Sequence, residues 1–304
     1  MQRMKQHTLK SSFTLTGKGL HTGMEIKARF WPAPVNTGIR LCRTDISGRP
    51  TFEALASYVT STSRGTVVEN GKWKVSTIEH AMSALYALGV TNCVIELNAP
   101  EMPILDGSAK PFVEAILTTG VEEQSEEAKT WVVTEPLSFD NGKGCKLRIE
   151  PANQFEVEVL VDYPSPILSK QTATLTNLSD YAAEISKART FCFLREIEWL
   201  LHLGLIKGGD LQNALVIYDK KISQWSMNRL SNKLGQPPID ASQLGYLSEL
   251  HYENEPARHK LLDLIGDMAL IGRRIQGRLV AECPGHGFNT SCAKQILENI
   301  NSQK

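Results

Sequence analysis

The sequence predicts an α+β protein built from two similar halves, in each of which a histidine-bearing helix is followed closely by a strand. The first helix and strand lie within residues 78–97, and the second pair lies within residues 256–283. Alternating apolar and polar residues indicate further strands in both halves. A chain of 304 residues exceeds the usual single-domain size, so we expect two α+β layers that face each other.

Composition and charge exclude several classes of function. Hydrophobic residues make up 41% and charged residues 22% of the chain, as in ordinary globular proteins. Lysine plus arginine equals aspartate plus glutamate at 33 each, so no net field attracts nucleic acid. Six scattered cysteines without a C-x-x-C pair predict a reducing cytoplasm rather than a disulfide framework. No signal peptide and no transmembrane anchor are expected, because no apolar run has the required length.

The first half is predicted to contain strands on either side of one helix. Glycine-rich residues 16–23 indicate a turn before a half-buried strand near residues 26–30. A helix opens near residue 78, with Ile78, Met82 and Leu85 as its apolar stripe. A buried strand at residues 93–97 follows, and then a turn and a helix near residues 109–117.

Glu79 has two interpretations from this segment alone. Ser76 and Glu79 have the spacing of a capping box, in which Glu79 would only bond back to the backbone at the start of the helix. Alternatively, Glu79 is a functional carboxylate beside His80, which lies opposite the apolar stripe. The segment does not decide between a cap and an active-site residue.

The domain boundary is predicted at an acidic linker, residues 122–130, which contains four glutamates and almost no apolar residue. This places the first domain at residues 1–121 and the second at residues 131–304. Within the second domain we predict, in chain order, strands at 146–150 and 155–159, a helix from 182, a helix at 196–203, a strand at 214–218, an extended surface loop at 223–253, a strand at 278–283 and a loop at 284–287.

A polar stripe of His259, Asp263 and Asp267 interrupts an otherwise apolar helix that starts near Pro256, with Asn254 as its expected cap. Residues four apart share a helix face, so an imidazole and a carboxylate at this spacing can hold one small cation. Nitrogen and oxygen donors suit zinc or a similar first-row metal. The alternative is an ordinary polar pair on a solvated face, which is the commoner origin of an isolated H-x-x-x-D.

Six motifs in order resemble the zinc-dependent UDP-3-O-acyl-N-acetylglucosamine deacetylase family of lipid A biosynthesis. They occupy residues 16–21, 76–80, 103–108, 188–191, 258–263 and 285–286. The resemblance covers essentially the whole chain. It implies two domains of the ribosomal protein S5 domain 2-like type, each a sheet with helices packed on one face, with the active site between them. It also implies a cytoplasmic, monomeric enzyme that acts on UDP-linked acylated glucosamine.

The resemblance also implies a ligand set and catalytic roles. The family's metal ligands match His80, His259 and Asp263, which would hold one Zn²⁺ per chain, with Fe²⁺ as the alternative, and leave a position for water. Four positions match catalytic roles: Glu79 as general base, His286 as general acid or electrostatic stabiliser, Asp267 as the residue that orients His286, and Thr190 as the donor to the developing oxyanion.

Substrate contacts are implied in the same way. Lys260 matches a contact to the nucleotide phosphates, and Tyr163 matches an aromatic residue that stacks on uracil. An acyl-chain insert near residues 191–217 would form a hydrophobic passage, although the same residues could simply be core. The implied passage residues are Phe191, Leu194, Ile197, Ile206, Leu211, Ala214 and Val216.

Two departures and two rival functions accompany the resemblance. Cys283 stands where many relatives have a lysine, and the loop at residues 223–253 is longer than the corresponding loop of relatives. Some members are fused to a hydroxyacyl carrier-protein dehydratase, and no such unit is expected within these 304 residues. The rival functions are a non-catalytic sugar-nucleotide-binding protein with a structural metal, which would not need Glu79 and His286, and a zinc hydrolase of another amide.

Overall fold

The structure, a computed structural model, describes residues 4–197, 207–233 and 237–302. Its strands are β1 Lys5–Leu9, β2 Phe13–Lys18, β3 Glu25–Pro32, β4 Ile39–Arg43, β5 Thr51–Glu53, β6 Val59–Ser61, β7 Val67–Asn70, β8 Trp73–Val75, β9 Cys93–Leu97, β10 Val121–Glu127, β11 Thr130–Val132, β12 Leu137–Asp140, β13 Lys146–Glu150, β14 Phe155–Val161, β15 Gln171–Leu175, β16 Phe191–Phe193, β17 Leu215–Tyr218, β18 Gly245–Tyr246 and β19 Arg274–Glu282. Its helices are α1 Glu79–Ala87, α2 Lys110–Thr119, α3 Tyr181–Glu184, α4 Gln224–Lys233, α5 Glu255–Ala269 and α6 His286–Ser302.

The first half contains a five-stranded sheet in the order β2-β3-β9-β4-β5. Its central strand β9 pairs with β3 antiparallel and with β4 parallel. Strand β3 alternates the fully buried Ile26, Ala28 and Phe30 with exposed polar residues, so the sheet buries one face. Helix α2 covers that face, with the Phe112 ring 6.0 Å from the Phe30 ring.

The second half repeats this arrangement around β19, which pairs with β13 antiparallel and with β14 parallel. The sheet order is β12-β13-β19-β14-β15, with β11 also paired to β19. Leu147, Ile149, Val157 and Val159 turn inward from these strands, and α5 packs against β14 and β15. The predicted α+β class is confirmed, because each half is a sheet with helices on one face.

Most of the acidic segment predicted as a linker belongs to strand β10, which ends at Glu127 and pairs antiparallel with β1. Glu123 lies opposite His7, and Glu127 lies opposite Lys5. The glutamates therefore lie along a two-stranded ribbon. The division of the chain into domains 1–121 and 131–304 stays a prediction.

The insert between β15 and α5 forms a small sheet of its own, in the order β16-β17-β18. The extended loop predicted at residues 223–253 is wrong in part, because it contains α4 and β18. The polar composition of α4 gave no helix signal in the sequence. Met227 and Leu230 are nevertheless buried in a small second hydrophobic core, the satellite core, together with Tyr218. Most of the helix predicted at residues 196–203 lies outside the described residues.

Three further local predictions differ from the structure. Residues 16–18 end strand β2 rather than belonging to a turn. The predicted loop at residues 284–287 already contains the first turn of α6. Asn254 precedes α5 without capping it through its side chain, because its Oδ1 accepts a hydrogen bond from Arg258 Nε instead. Across the described ranges, no helix combines the length and apolar content needed to cross a membrane.

Candidate metal centre and active site

The structure brings His80, His259 and Asp263 together, with one donor atom of each within 4.8 Å of the others. His80 is the second residue of α1, while His259 and Asp263 are one turn apart on α5, which packs against α1. The two imidazole rings meet edge to face, with centroids 5.1 Å apart. All three side chains are buried, so the polar pair on α5 is not on a solvated face.

Asp263 carries the clearest sign of a cation-binding site. Its Oδ1 is buried and has no hydrogen-bond partner within the described residues, although it lies 3.3 Å from His259 Nε2 and 3.9 Å from His80 Nε2. Its other oxygen, Oδ2, accepts a hydrogen bond from Lys260 Nζ at 2.9 Å. A buried carboxylate oxygen without a partner is costly. The two nitrogens and one oxygen fit a first-row metal ion.

The protonation states also suit a metal site. His259 Nδ1 lies 3.0 Å from the Ala188 carbonyl, and if it donates there, Nε2 keeps its lone pair toward Asp263. Burial lowers the pKa of His259, and burial together with His259 lowers the pKa of His80 to about 3. Burial alone would raise the pKa of Asp263, but the neighbouring His259 and Lys260 hold it below its usual value. The cluster therefore presents neutral imidazoles and an ionised carboxylate.

Glu79 faces the same cluster and is not a capping residue. Its Oε2 accepts a hydrogen bond from the Thr66 backbone amide at 3.0 Å, and Ser76 donates to the Pro100 carbonyl instead. The capping-box interpretation is therefore wrong. Burial raises the pKa of Glu79 to about 7, against the opposing influence of His286. A carboxyl group with this pKa can exchange a proton near neutral pH.

His286 lies across the site from Glu79, with its Nε2 3.8 Å from Glu79 Oε1 and 3.7 Å from Asp263 Oδ2. Its Nδ1 lies 2.9 Å from Asp267 Oδ2. Burial alone would lower the pKa of His286, but the charge of Asp267, assisted by Asp263 and Glu79, raises it to about 10. His286 is therefore a cation at neutral pH, and Asp267 fixes its orientation.

Two residues that support this arrangement were missed in the sequence. The Thr66 hydroxyl donates to Asp267 Oδ1 at 2.5 Å, so Thr66 connects the carboxyl groups of Glu79 and Asp267. The Asn289 amide donates to Asp267 Oδ2 at 2.9 Å. Asn289 could have been found, because it lies three residues after His286 on the same helix face. Thr66 precedes a short strand and carries no such signal.

A cavity of about 680 Å³ opens beside the cluster. It joins His286 and Lys260 to Thr190, whose backbone amide donates to the Gly107 carbonyl at 2.7 Å. Lys260 Nζ also lies 5.3 Å from the centre of the Phe191 ring. The cavity therefore collects charged, polar and aromatic side chains at the contact between the two halves.

Five of the predicted passage residues line this cavity: Phe191, Ile197, Leu211, Ala214 and Val216. Leu194 is not among the lining residues and packs in the satellite core with Tyr218. Ile206 lies outside the described residues. Tyr163 does not line the cavity either, and its ring packs edge to face on Phe191 at 5.7 Å.

The two α+β halves meet at a candidate metal site, and a buried carboxyl group lies beside that site. This arrangement is typical of a metal-dependent hydrolase. The model of the UDP-3-O-acyl N-acetylglycosamine deacetylase family matches residues 6–234 and 239–298. The chain belongs to this family.

Curated relatives agree with the family match. The chain is 49% identical over 300 residues to the bifunctional enzyme LpxC/FabZ of Bacteroides thetaiotaomicron, covering 98% of this chain and 65% of the relative. The corresponding enzyme of Porphyromonas gingivalis is 49% identical over 299 residues, covering 97% and 65%. The chain thus spans 65% of the length of these relatives. It is also 37% identical over 300 residues to the UDP-3-O-acyl-N-acetylglucosamine deacetylase of Mannheimia succiniciproducens, covering 97% and 91%.

Proposed function

We propose that this chain is a zinc-dependent deacetylase that removes acetate from the 2-acetamido group of UDP-3-O-(hydroxyacyl)-N-acetylglucosamine, the committed step of lipid A biosynthesis. Family membership supports the reaction and the substrate class, and two relatives of which this chain covers 91% and 90% bear the deacetylase name. We further propose a cytoplasmic monomer. The observation that carries the proposal is the orphaned Oδ1 of Asp263, because it faces two neutral histidines beside Glu79 and His286.

His80, His259 and Asp263 would hold the ion, since their two nitrogens and one oxygen match the ligands of catalytic zinc sites, and Fe²⁺ accepts the same donors. When bound, such an ion supplies Lewis-acid activation of water and of the amide carbonyl. Lys260 keeps Asp263 ionised through its 2.9 Å hydrogen bond. The Ala188 carbonyl fixes the His259 ring.

The remaining residues divide the proton transfers of amide hydrolysis. Glu79, with a pKa of about 7, takes a proton from the attacking water as the new carbon–oxygen bond forms. The Thr190 hydroxyl donates a hydrogen bond to the carbonyl oxygen that becomes negative. His286, held cationic by Asp267, stabilises that charge or donates a proton to the nitrogen as the carbon–nitrogen bond breaks. The products are acetate and the free amine on the sugar.

The cavity gives each part of the substrate a surface. Its apolar lining, from Phe191 to Val216, suits an acyl chain. Lys260 also lines the cavity, and we propose that it contacts the nucleotide phosphates there. For Tyr163, whose ring packs edge to face on Phe191, we propose the stacking contact to uracil.

The test is a deacetylation assay on metal-stripped and metal-restored protein. We expect acetate release from the acylated sugar nucleotide only after Zn²⁺ or Fe²⁺ is restored. Metal analysis of the same samples should give one ion per chain. Tight binding of the sugar nucleotide by the restored protein without acetate release would instead support the non-catalytic binding protein.

A further inference from the structure

Three long cationic side chains line the cavity: Arg64, Arg195 and Lys260. Arg195 is engaged with the buried carboxylate of Asp219, and its guanidinium lies 4.3 Å from the centre of the Phe193 ring. Lys260 is engaged with Asp263. Arg64 differs from both, because its Nη1 is enclosed by protein and has no hydrogen-bond partner among the described residues.

The backbone of Arg64 is held rigidly beside the proposed base. His21 Nε2 lies 3.0 Å from the Arg64 carbonyl. The next residue, Gly65, has φ of +140°, and a Cβ there would stand 2.7 Å from Glu79 Oε1. Thr66 then donates its amide to Glu79. These contacts fix the backbone of residues 64–66, and the enclosed Nη1 places the guanidinium of Arg64 in the cavity wall.

An enclosed guanidinium donor without a partner costs free energy, and such groups in native proteins usually have an acceptor. Guanidinium groups match the oxygens of phosphate and carboxylate groups in shape and charge. The proposed substrate has one anionic group, its diphosphate. The charges of Lys260 and Arg195 are already compensated by Asp263 and Asp219. Among the described residues of this cavity wall, Arg64 therefore keeps a guanidinium donor without an acceptor, and a phosphate oxygen bound beside Lys260 would supply one.

We propose that Arg64 binds the substrate by donating hydrogen bonds to a phosphate oxygen of the nucleotide diphosphate. The inference rests on the proposed function, since it requires a nucleotide-linked substrate. Arg64 adds affinity and selectivity for the diphosphate, and it takes no part in proton transfer. Its loss should therefore raise KM for the sugar nucleotide while kcat stays close to the wild-type value.

The test uses the metal-loaded full chain and UDP, which contains the diphosphate without the sugar or the acyl chain. Titration calorimetry should show about 10- to 100-fold weaker UDP binding for Arg64→Gln, the usual scale for a lost charge-assisted hydrogen bond. Arg64→Lys, which keeps the charge but loses the planar fork, should lie between. Arg148→Gln, an exposed arginine on β13 paired with Glu150, is the control for the same change in net charge.

The outcomes separate the two proposals. The difference between wild type and Arg64→Gln should shrink at high salt, because ions screen the lost attraction. Equal UDP affinity of the two proteins, with normal deacetylation by the wild type, overturns the role of Arg64 and leaves the proposed function standing. Equal UDP affinity with a raised KM for the full substrate would assign Arg64 to the sugar or the acyl ester and also overturns the diphosphate contact. A wild-type protein that neither binds UDP nor releases acetate overturns both.

Discussion

Gly266 on α5 lies directly against the backbone of Glu79 on α1, so that a Cβ at Gly266 would stand 2.2 Å from the Glu79 carbonyl oxygen. A glycine inside a helix costs about 1 kcal/mol relative to alanine, so its presence here needs a packing reason. The reason is close approach of the two helices that carry His80 and His259. The candidate metal cluster of His80, His259 and Asp263 lies across this helix contact.

Gly266→Ala should push α1 and α5 apart. We expect a loss of about 1–3 kcal/mol in the free energy of unfolding, as for other overpacked contacts, together with weaker metal binding. Denaturant unfolding and metal titration measure the two effects. Gly245→Ala is the control, because a Cβ at Gly245 meets nothing within 4 Å. Equal behaviour of the two variants would show that the helix contact tolerates the added methyl group.

The sequence predicted some parts of this site and not others for physical reasons. His259 and Asp263 could be paired from their spacing, because one helical turn brings them together. Their meeting with His80 depends on the packing of α1 against α5, which spacing cannot reveal, and only the family resemblance supplied it. Thr66 contacts Glu79 through its backbone amide, for which residue type gives no signal, and its hydroxyl reaches Asp267, which is far away in the sequence. The helix α4 was not predicted because only a few of its residues, among them Met227 and Leu230, are apolar and buried, which leaves a weak apolar periodicity in the sequence.

Alanine substitution of any one proposed ligand, His80, His259 or Asp263, should release the metal. Each substitution removes one of the three protein donors of the cluster, and the described residues offer no other cluster of this kind. Metal content after brief chelation and dialysis is the measurement. His251→Ala removes a half-exposed histidine that precedes α5, and this variant should keep the metal. Full stoichiometry in all three ligand variants would refute the assignment.

Glu79→Gln should keep the metal and the nucleotide affinity but lose about a hundredfold or more in turnover, the usual scale for a positioned acid or base. Wild-type activity should rise as pH increases through about 7, because Glu79 acts as a base only after losing its proton. It should fall near pH 10, where His286 loses its charge. Near-normal turnover in a metal-loaded Glu79→Gln protein would exclude Glu79 as the base.

Asp267→Asn should move the alkaline limit of activity to lower pH. Asp267 is the largest of the charges that raise the pKa of His286, so its neutralisation lets burial lower that pKa. The expected signature is a shifted pH profile with metal content unchanged. His286→Ala should lose the alkaline limb altogether. An unshifted limb in Asp267→Asn would mean that another group controls it.

Ala214→Trp tests whether the apolar lining is an acyl passage or merely core. Ala214 is half-buried and lines the cavity, so an indole there should block a long chain while leaving the metal cluster intact. We expect kcat/KM for the long-acyl substrate to fall at least about tenfold more than for a short-acyl analogue, on the scale of steric discrimination in apolar pockets. The matched control is Leu194→Ala in the satellite core, which should cost about 2–5 kcal/mol of stability and affect both substrates alike. If Ala214→Trp also affects both substrates alike, these residues serve as core, because a blocked passage would discriminate by chain length.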